Sequence, residues 1–130
     1  AIRKYVDKWK AWESSIGRQL HSLQLQIAMR GVALLNVGGM MTYSTCSFNA
    51  LENEAVVSAL LSRCPCLELV PKPASIQPLM IHPGLETWNV TYGEENLFLP
   101  SYKDLSALPR QERKRLRATM WPPPPKQAQE

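Results

Sequence analysis

Cys46 closes the uncharged run Met40-Met41-Thr42-Tyr43-Ser44-Thr45, and Asn49 and Glu52 follow it at three-residue steps. The thiolate is the reactive form of cysteine, and a helix N-terminus favours it. A cysteine three residues before a helix cap is therefore placed for nucleophilic attack. Asn49 and Glu52 supply such a cap. The Asn49 side chain would accept from an early helical amide while the Glu52 carboxylate reaches back to the cap. Glu52 and Glu54 then fall in the first turn, where the helix dipole favours negative charge. The alternative for Cys46 is a small buried hydrophobe at a strand end, as most free cysteines are.

The remaining candidates carry less. Cys64 and Cys66 flank Pro65, but zinc needs about four ligands, and no second cysteine pair or paired histidines exist. They read as structural cysteines, and no metal site is expected. His21 falls on what reads as the polar face of a helix, and His82 sits in an Ile-His-Pro-Gly turn. A Cys–His hydrolase would need one of them beside Cys46; solvated or locally bonded imidazoles are the default. The pair Gly38-Gly39 precedes a strand instead of following one, and no G-x-G-x-x-G or G-x-x-x-x-G-K occurs, so no nucleotide or cofactor cradle is visible. Arg110, Arg113, Lys114, Arg115 and Arg117 place five cations within eight residues. They are either a contact for nucleic-acid phosphates or a solvated run. Tyr102 and Trp121 either stack on bases or clamp the tail to the domain.

The elements that position these residues follow from periodicity. Ile2, Tyr5, Val6, Trp9 and Trp12 predict an amphipathic helix over Arg3 to Trp12, its aromatic face packed in the core. Arg18 to Leu35 predicts a longer helix with Leu20, Leu23, Ile27, Leu34 and Leu35 inward, ended by Asn36 to Gly39. Met40 to Thr45 predicts a buried strand, and Leu51 to Leu61 a third helix with Leu51, Ala55, Val56, Ala59 and Leu60 inward. Two helices flanking an apolar strand argue for an α/β fold with a parallel sheet covered on both faces. Ligands bind such sheets at the carboxyl ends of the strands, where Cys46 stands. Cys66 to Val70, Thr87 to Thr91 and Leu97 to Leu99 predict short strands, with a turn at Tyr92-Gly93-Glu94. A loop punctuated by Pro71, Pro73, Pro78 and Pro83 intervenes.

The 130 residues suit one modest domain, and the formal charge of +4 leans towards an anionic partner. No apolar run approaches the roughly 18 residues of a membrane span, and three cysteines point to a reducing compartment. The absence of a start methionine and the trailing prolines read as a piece of a longer chain.

From Gly38 to Val57 the residues Gly-Gly-Met-Met-Thr-Tyr-Ser-Thr-Cys-Ser-Phe-Asn-Ala-Leu-Glu-Asn-Glu-Ala-Val-Val resemble the Thr-Cys motif of the Nop/Sun family of RNA cytosine-5 methyltransferases. The family pattern is Gly-Gly-Arg, two apolar residues, Tyr-Ser-Thr-Cys-Ser-x-Asn-Pro-x-Glu-x-Glu-Ala-Val. His21 to Gly31 is similar to the helix before that motif. Arg117-Ala-Thr-Met-Trp-Pro-Pro is similar to an Arg-Pro-Thr-Met-Phe-Pro-Pro segment of the family's eukaryotic tRNA-modifying member. The resemblance covers most of residues 1 to 121.

The resemblance implies a partial Rossmann-like S-adenosylmethionine-dependent methyltransferase fold, with an incomplete, mostly parallel sheet flanked by helices. Residues 1–100 would be the C-terminal half of the catalytic domain and 101–130 a basic, proline-rich tail. Cys46 would attack C6 of a cytosine in RNA, tRNA by the nearest family member, so that C5 can take the methyl group, with the base flipped from its stack. Thr45 and Ser47 would shape the loop, and the five cations would bind RNA. The S-adenosylmethionine site and a second, Pro-Cys cysteine are expected upstream of residue 1, so this piece alone is expected to be inactive. The setting would be intracellular, nuclear or nucleolar. Met40 stands where the family has arginine, and Ala50 where it has proline at the first helical position; alanine suits a helix well. The rival reading is a non-catalytic RNA-binding fragment with Cys46 inert.

Overall fold

Two helices, α2 (Ser15–Ala33) and α3 (Glu54–Arg63), pack together and hold between them the stretch that carries Cys46. The computed structural model describes residues 4–11, 13, 15–71, 73–76, 79–93 and 95–124, leaving aside the side chains of Lys8, Trp9 and Ile76. Helix α1 (Val6–Lys10) precedes α2. After α3 come the strands β1 (Val90–Tyr92) and β2 (Leu97–Leu99), then helix α4 (Arg110–Arg115). Single 3-10 turns lie at Ala74–Ile76 and Ala118–Met120, and a longer one at Tyr102–Ala107.

Helix α3 is the hub because its two sides serve two clusters. Ala55 faces Leu51, Val90, Leu99, Leu108, Leu116 and Met120, with Trp88, Tyr92, Leu105 and Trp121 packed around them. Val56, Ala59 and Leu60 face Leu25 and Ala28 of α2, with Met29, Val32 and Tyr43 alongside. Alanines at 28, 55 and 59 keep the helix surfaces low, so neighbouring backbones approach closely. Glu54 in the first turn and Arg63 in the last both suit the helix dipole. Four of the five positions predicted inward on this helix are buried within it, and Leu51 is buried just before it starts.

On α2 the periodicity predicts the wrong face. Gly17, Arg18, His21, Leu25 and Ala28 are buried, whereas Leu23, Ile27 (63% exposed) and Leu34 face outward. The helix has two stripes on which a packing face could be built, and counting apolar carbons favours the leucine-rich one. The buried stripe combines small residues with Arg18 and His21, polar side chains whose hydrogen bonds offset the cost of burial. A Cβ on Gly17 would run into the Asn49 side-chain amide, so any side chain there would displace Asn49 where α2 meets the Cys46 loop.

Residues Met40 to Thr45 are not a buried strand. They form no ladder with any described segment, and Met40 is 81% exposed. Residue types can favour extended backbone, but a strand exists only where a neighbour accepts and donates its hydrogen bonds. The turn before this run is as expected: Gly38 has φ +76, and Gly39 bonds back to the Asn36 carbonyl at 2.9 Å.

The sheet among the described residues is an antiparallel hairpin, not a parallel arrangement. Val90 pairs with Leu99, Thr91 with Phe98 and Tyr92 with Leu97. Gly93, at φ +69, begins the connection; Glu94 lies outside the described residues. Leu97 to Leu99 is the strand expected, and β1 overlaps the end of Thr87 to Thr91. Cys66 to Val70 forms no strand, and Leu69 and Val70 are exposed. Of the helix predicted over Arg3 to Trp12, Val6–Lys10 is present with Tyr5 and Val6 exposed. Ile2, Trp12 and the Trp9 side chain, part of its expected core face, lie outside what is described. No helix among the described residues is long and apolar enough to cross a membrane.

Candidate active site

Cys46 is exposed, at the rim of a loop that is tied to itself by polar side chains. The Thr45 hydroxyl donates to Asn53 Oδ1 at 2.6 Å and accepts from the Ser47 amide at 3.1 Å. Asn53 Nδ2 donates to the carbonyls of Ser47 (2.9 Å) and Asn49 (3.0 Å). The Ser47 hydroxyl donates to Glu52 Oε1 at 2.7 Å and accepts from the Asn49 amide at 3.1 Å. Residues 45, 47, 49, 52 and 53 thus satisfy one another, and among the described residues no hydrogen bond engages the cysteine between them. A nucleophile needs that combination: an open sulfur on a fixed backbone.

The expected capping box is not formed. Asn49 Oδ1 accepts from Leu51 N at 3.0 Å, but this closes a turn, and α3 begins only at Glu54. Glu52 does not reach back to Asn49, because its two oxygens bind the Ser47 hydroxyl and Gln24 Nε2. Side chains that bond locally to the backbone compete with the helix and delay its start. The cysteine still lies beside the start of α3, since Asn53, the cap residue, holds its neighbour Thr45.

Helix α2 braces this loop from behind. Gln24 Nε2 donates to Glu52 Oε2 at 2.9 Å, and Glu52 is buried. His21, with no exposed surface, lies 2.7 Å by Nδ1 from the Leu51 carbonyl and 2.9 Å by Nε2 from Thr119 Oγ1. A carbonyl can only accept, so Nδ1 carries the proton and Nε2 accepts from the threonine hydroxyl. Burial holds the imidazole below its ordinary pKa, with the Leu51 bond opposing and Arg63 adding to the effect. His21 is neither solvated nor locally bonded, as the default for a lone histidine would have it: its partners Leu51 and Thr119 lie 30 and 98 residues away. Tyr43 donates to the Glu52 carbonyl at 2.6 Å, and burial raises its pKa, helped by the Glu52 charge.

The cationic segment is a separate surface, joined to the same body. Arg110, Arg113, Lys114, Arg115 and Arg117 are all exposed, the first four on α4. Glu112 faces inward and accepts from Gly93 N at 3.3 Å, also pairing with Arg115 at 3.6 Å. From the other side the buried Arg18 fork donates to the carbonyls of Thr91 (3.2 Å) and Gly93 (3.3 Å). Burial lowers the Arg18 pKa, opposed by the Glu112 charge and reinforced by Arg115. Arg117 Nη1 is turned onto the Lys114 and Leu116 carbonyls. Trp121 donates to the Leu99 carbonyl at 3.2 Å and meets Tyr102 edge-on at 5.5 Å, so it clamps the tail.

Neither histidine serves a Cys–His pair. Both nitrogens of His21 are engaged elsewhere, and among the described residues no hydrogen bond joins His82 to Cys46. Cys66 is exposed, and Cys64 Sγ lies 3.8 Å from Met29 Sδ. Gly38 and Gly39 form an exposed turn before the Cys46 run, and α3 begins only at Glu54, so this glycine pair does not open a helix that could cradle a charged cofactor.

Residues 1–114 match the family described as 16S rRNA methyltransferase RsmB/F. The chain belongs to that family. Over 124 residues, 95% of this chain, it is 37% identical to the Schizosaccharomyces pombe multisite-specific tRNA:(cytosine-C(5))-methyltransferase trm4b, of which this is 17%. It is 33% identical over 105 residues (80% of the chain, 14% of the relative) to the tRNA (cytosine(34)-C(5))-methyltransferase of Drosophila melanogaster. It is 36% identical over 118 residues (81% and 17%) to the multisite-specific tRNA:(cytosine-C(5))-methyltransferase of Saccharomyces cerevisiae. The chain therefore spans less than a fifth of the length of these curated relatives. No solved structure matches it. In this RsmB/F family member, Gln24, Asn53 and Thr119 support the Cys46 loop without having been singled out by the residue pattern, while His21 and Glu52 brace it instead of serving as a cysteine partner and a cap. A cluster of Asn, Glu and Ser within one short loop was the available signal for Asn53.

Proposed function

We propose that the protein is an RNA cytosine-5 methyltransferase acting on tRNA, with Cys46 as its nucleophile. The observation that carries this reading is the open Cys46 sulfur on a self-bonded loop, inside the stretch matched by a methyltransferase family. The relatives' names, which specify tRNA cytosine C5, support the substrate class.

The Cys46 thiolate adds to C6 of the cytosine, and the C5–C6 π electrons move to C5, which becomes nucleophilic. When bound, S-adenosylmethionine would supply the methyl group that C5 accepts. Loss of the C5 proton then re-forms the double bond and expels the sulfur. The chain's own contribution is to aim that sulfur: Thr45 and Ser47 lock the loop through Asn53 and Glu52. Such chemistry on a base requires it to leave the stack, which an exposed sulfur permits. Arg110, Arg113, Lys114, Arg115 and Arg117 supply phosphate contacts. The complete enzyme has a Rossmann-like fold, of which this chain forms part, and works in the nucleus or nucleolus.

RNA carrying 5-fluorocytosine tests the reading, because fluorine at C5 cannot leave as a proton does and traps the adduct. With the full-length protein and S-adenosylmethionine, a covalent complex mapping to Cys46 is expected, and none with Cys46→Ala. RNA binding without any adduct would favour the inert-cysteine alternative instead.

A further inference from the structure

We propose that His21 is a positioning residue that fastens the RNA-binding tail to the nucleophile loop, through its contacts with Thr119 on one side and the Leu51 carbonyl on the other. This rests on the proposed roles of Cys46 and the cations. His21 has no solvent-exposed surface, so its two ring nitrogens must both find partners inside the protein. They find them on two different structural units. Nδ1 donates to the Leu51 carbonyl, at the end of the loop that Thr45, Ser47 and Asn53 hold together. Nε2 accepts from Thr119, in the 3-10 turn that follows the cationic helix α4.

The tail has other anchors, but they lead elsewhere. Trp121 and Trp88 bond the β2 and Met120 carbonyls, and Glu112 bonds the hairpin at Gly93. Among the described hydrogen bonds, the one through His21 is what joins the tail to the Cys46 loop. Phosphates held by Arg110 to Arg117 and a base presented to Cys46 belong to one RNA molecule, so their separation must be held fixed. A bond between the two units does that, and a pair of bonds on one rigid imidazole does it with little freedom.

Thr119→Val tests the link with least damage, since it removes a hydroxyl while keeping the shape. Thr119→Ser restores the hydroxyl. In the full-length protein Thr119→Val is expected to raise KM for tRNA about tenfold, the effect of one buried hydrogen bond lost. The kcat, and the rate at which iodoacetamide alkylates Cys46, stay within about twofold of wild type, and Thr119→Ser recovers KM. An unchanged KM, or a loss that Thr119→Ser does not recover, overturns the proposal. Amide hydrogen exchange supplies a readout free of activity: Thr119→Val should speed exchange at Leu51 to Asn53 and at Met120 together. Exchange at wild-type rates in both segments also overturns it. If the wild-type protein forms no 5-fluorocytosine adduct, the reading of Cys46 fails, while exchange still decides whether His21 joins the two units.

Discussion

The Thr45 hydroxyl donates to Asn53 Oδ1 at 2.6 Å, closing the chain on either side of Cys46 into one loop. Asn53 also donates to the Ser47 and Asn49 carbonyls, so three bonds converge on one side chain. Asn53→Ala removes all three. At about 1 kcal/mol each, stability should fall by roughly 2–3 kcal/mol in a denaturant titration. Methyl transfer by the full-length protein should fall by about a hundredfold, because the sulfur is no longer aimed. Alkylation of Cys46 by iodoacetamide should persist, since the thiol stays exposed. Wild-type turnover in this variant would show that the loop bonds do not orient the nucleophile.

Arg18 gives a sharper stability test. Its guanidinium, buried, spans the Thr91 and Gly93 carbonyls, and Glu112 bonds the Gly93 amide from α4. Arg18→Met leaves both carbonyls without that donor, while Glu112 keeps Arg115. A loss of about 2–3 kcal/mol is expected, that of hydrogen bonds from a charged group. Arg18→Lys should recover only part of it, because an ammonium cannot span two carbonyls as a planar fork does. Thermal unfolding of the two variants measures the difference, and equal midpoints would contradict the bridging role.

Residue pattern located α3, the β2 strand and the exposed cationic run, because each depends on local spacing. It failed where the outcome depends on a partner distant in the chain. Met40 to Thr45 has strand-favouring residues, yet no described segment pairs with it. His21 looked polar and therefore outward, but Leu51 and Thr119, 30 and 98 positions away, satisfy both its nitrogens. Asn49 and Glu52 had capping spacing, but Ser47 and Gln24 outcompete the cap for the carboxylate. Buried polar side chains are chosen by three-dimensional complementarity, which one-dimensional periodicity does not record.

His21 also gives the protein a predictable response to acid. Burial holds its folded-state pKa below the unfolded value of about 6.5. As pH falls, the unfolded chain takes up the proton first, so the stabilising contribution is full above about pH 6.5 and is lost progressively below it. The urea midpoint should therefore drop between pH 7.5 and 5.5. His21→Gln, which cannot titrate, should start lower and show a shallower slope over that interval. Parallel slopes for the two proteins would assign the acid sensitivity to other groups.

The cations can be counted through salt. A protein that neutralises Z phosphates on single-stranded nucleic acid loses affinity with a log–log slope of about −0.7Z, because released counterions must be recaptured. Arg113, Lys114 and Arg115 are exposed on α4, and the internal ties of that helix run instead through Glu112. Replacing Arg113 and Lys114 by glutamine should thus leave the fold intact. It should weaken tRNA binding at low salt and reduce the slope by about 1.4, the contribution of two phosphates. Fluorescence anisotropy between 50 and 300 mM salt, roughly the range in which screening changes strongly, would measure it. An unchanged slope would mean that α4 faces solvent in the complex and that the phosphates are held elsewhere.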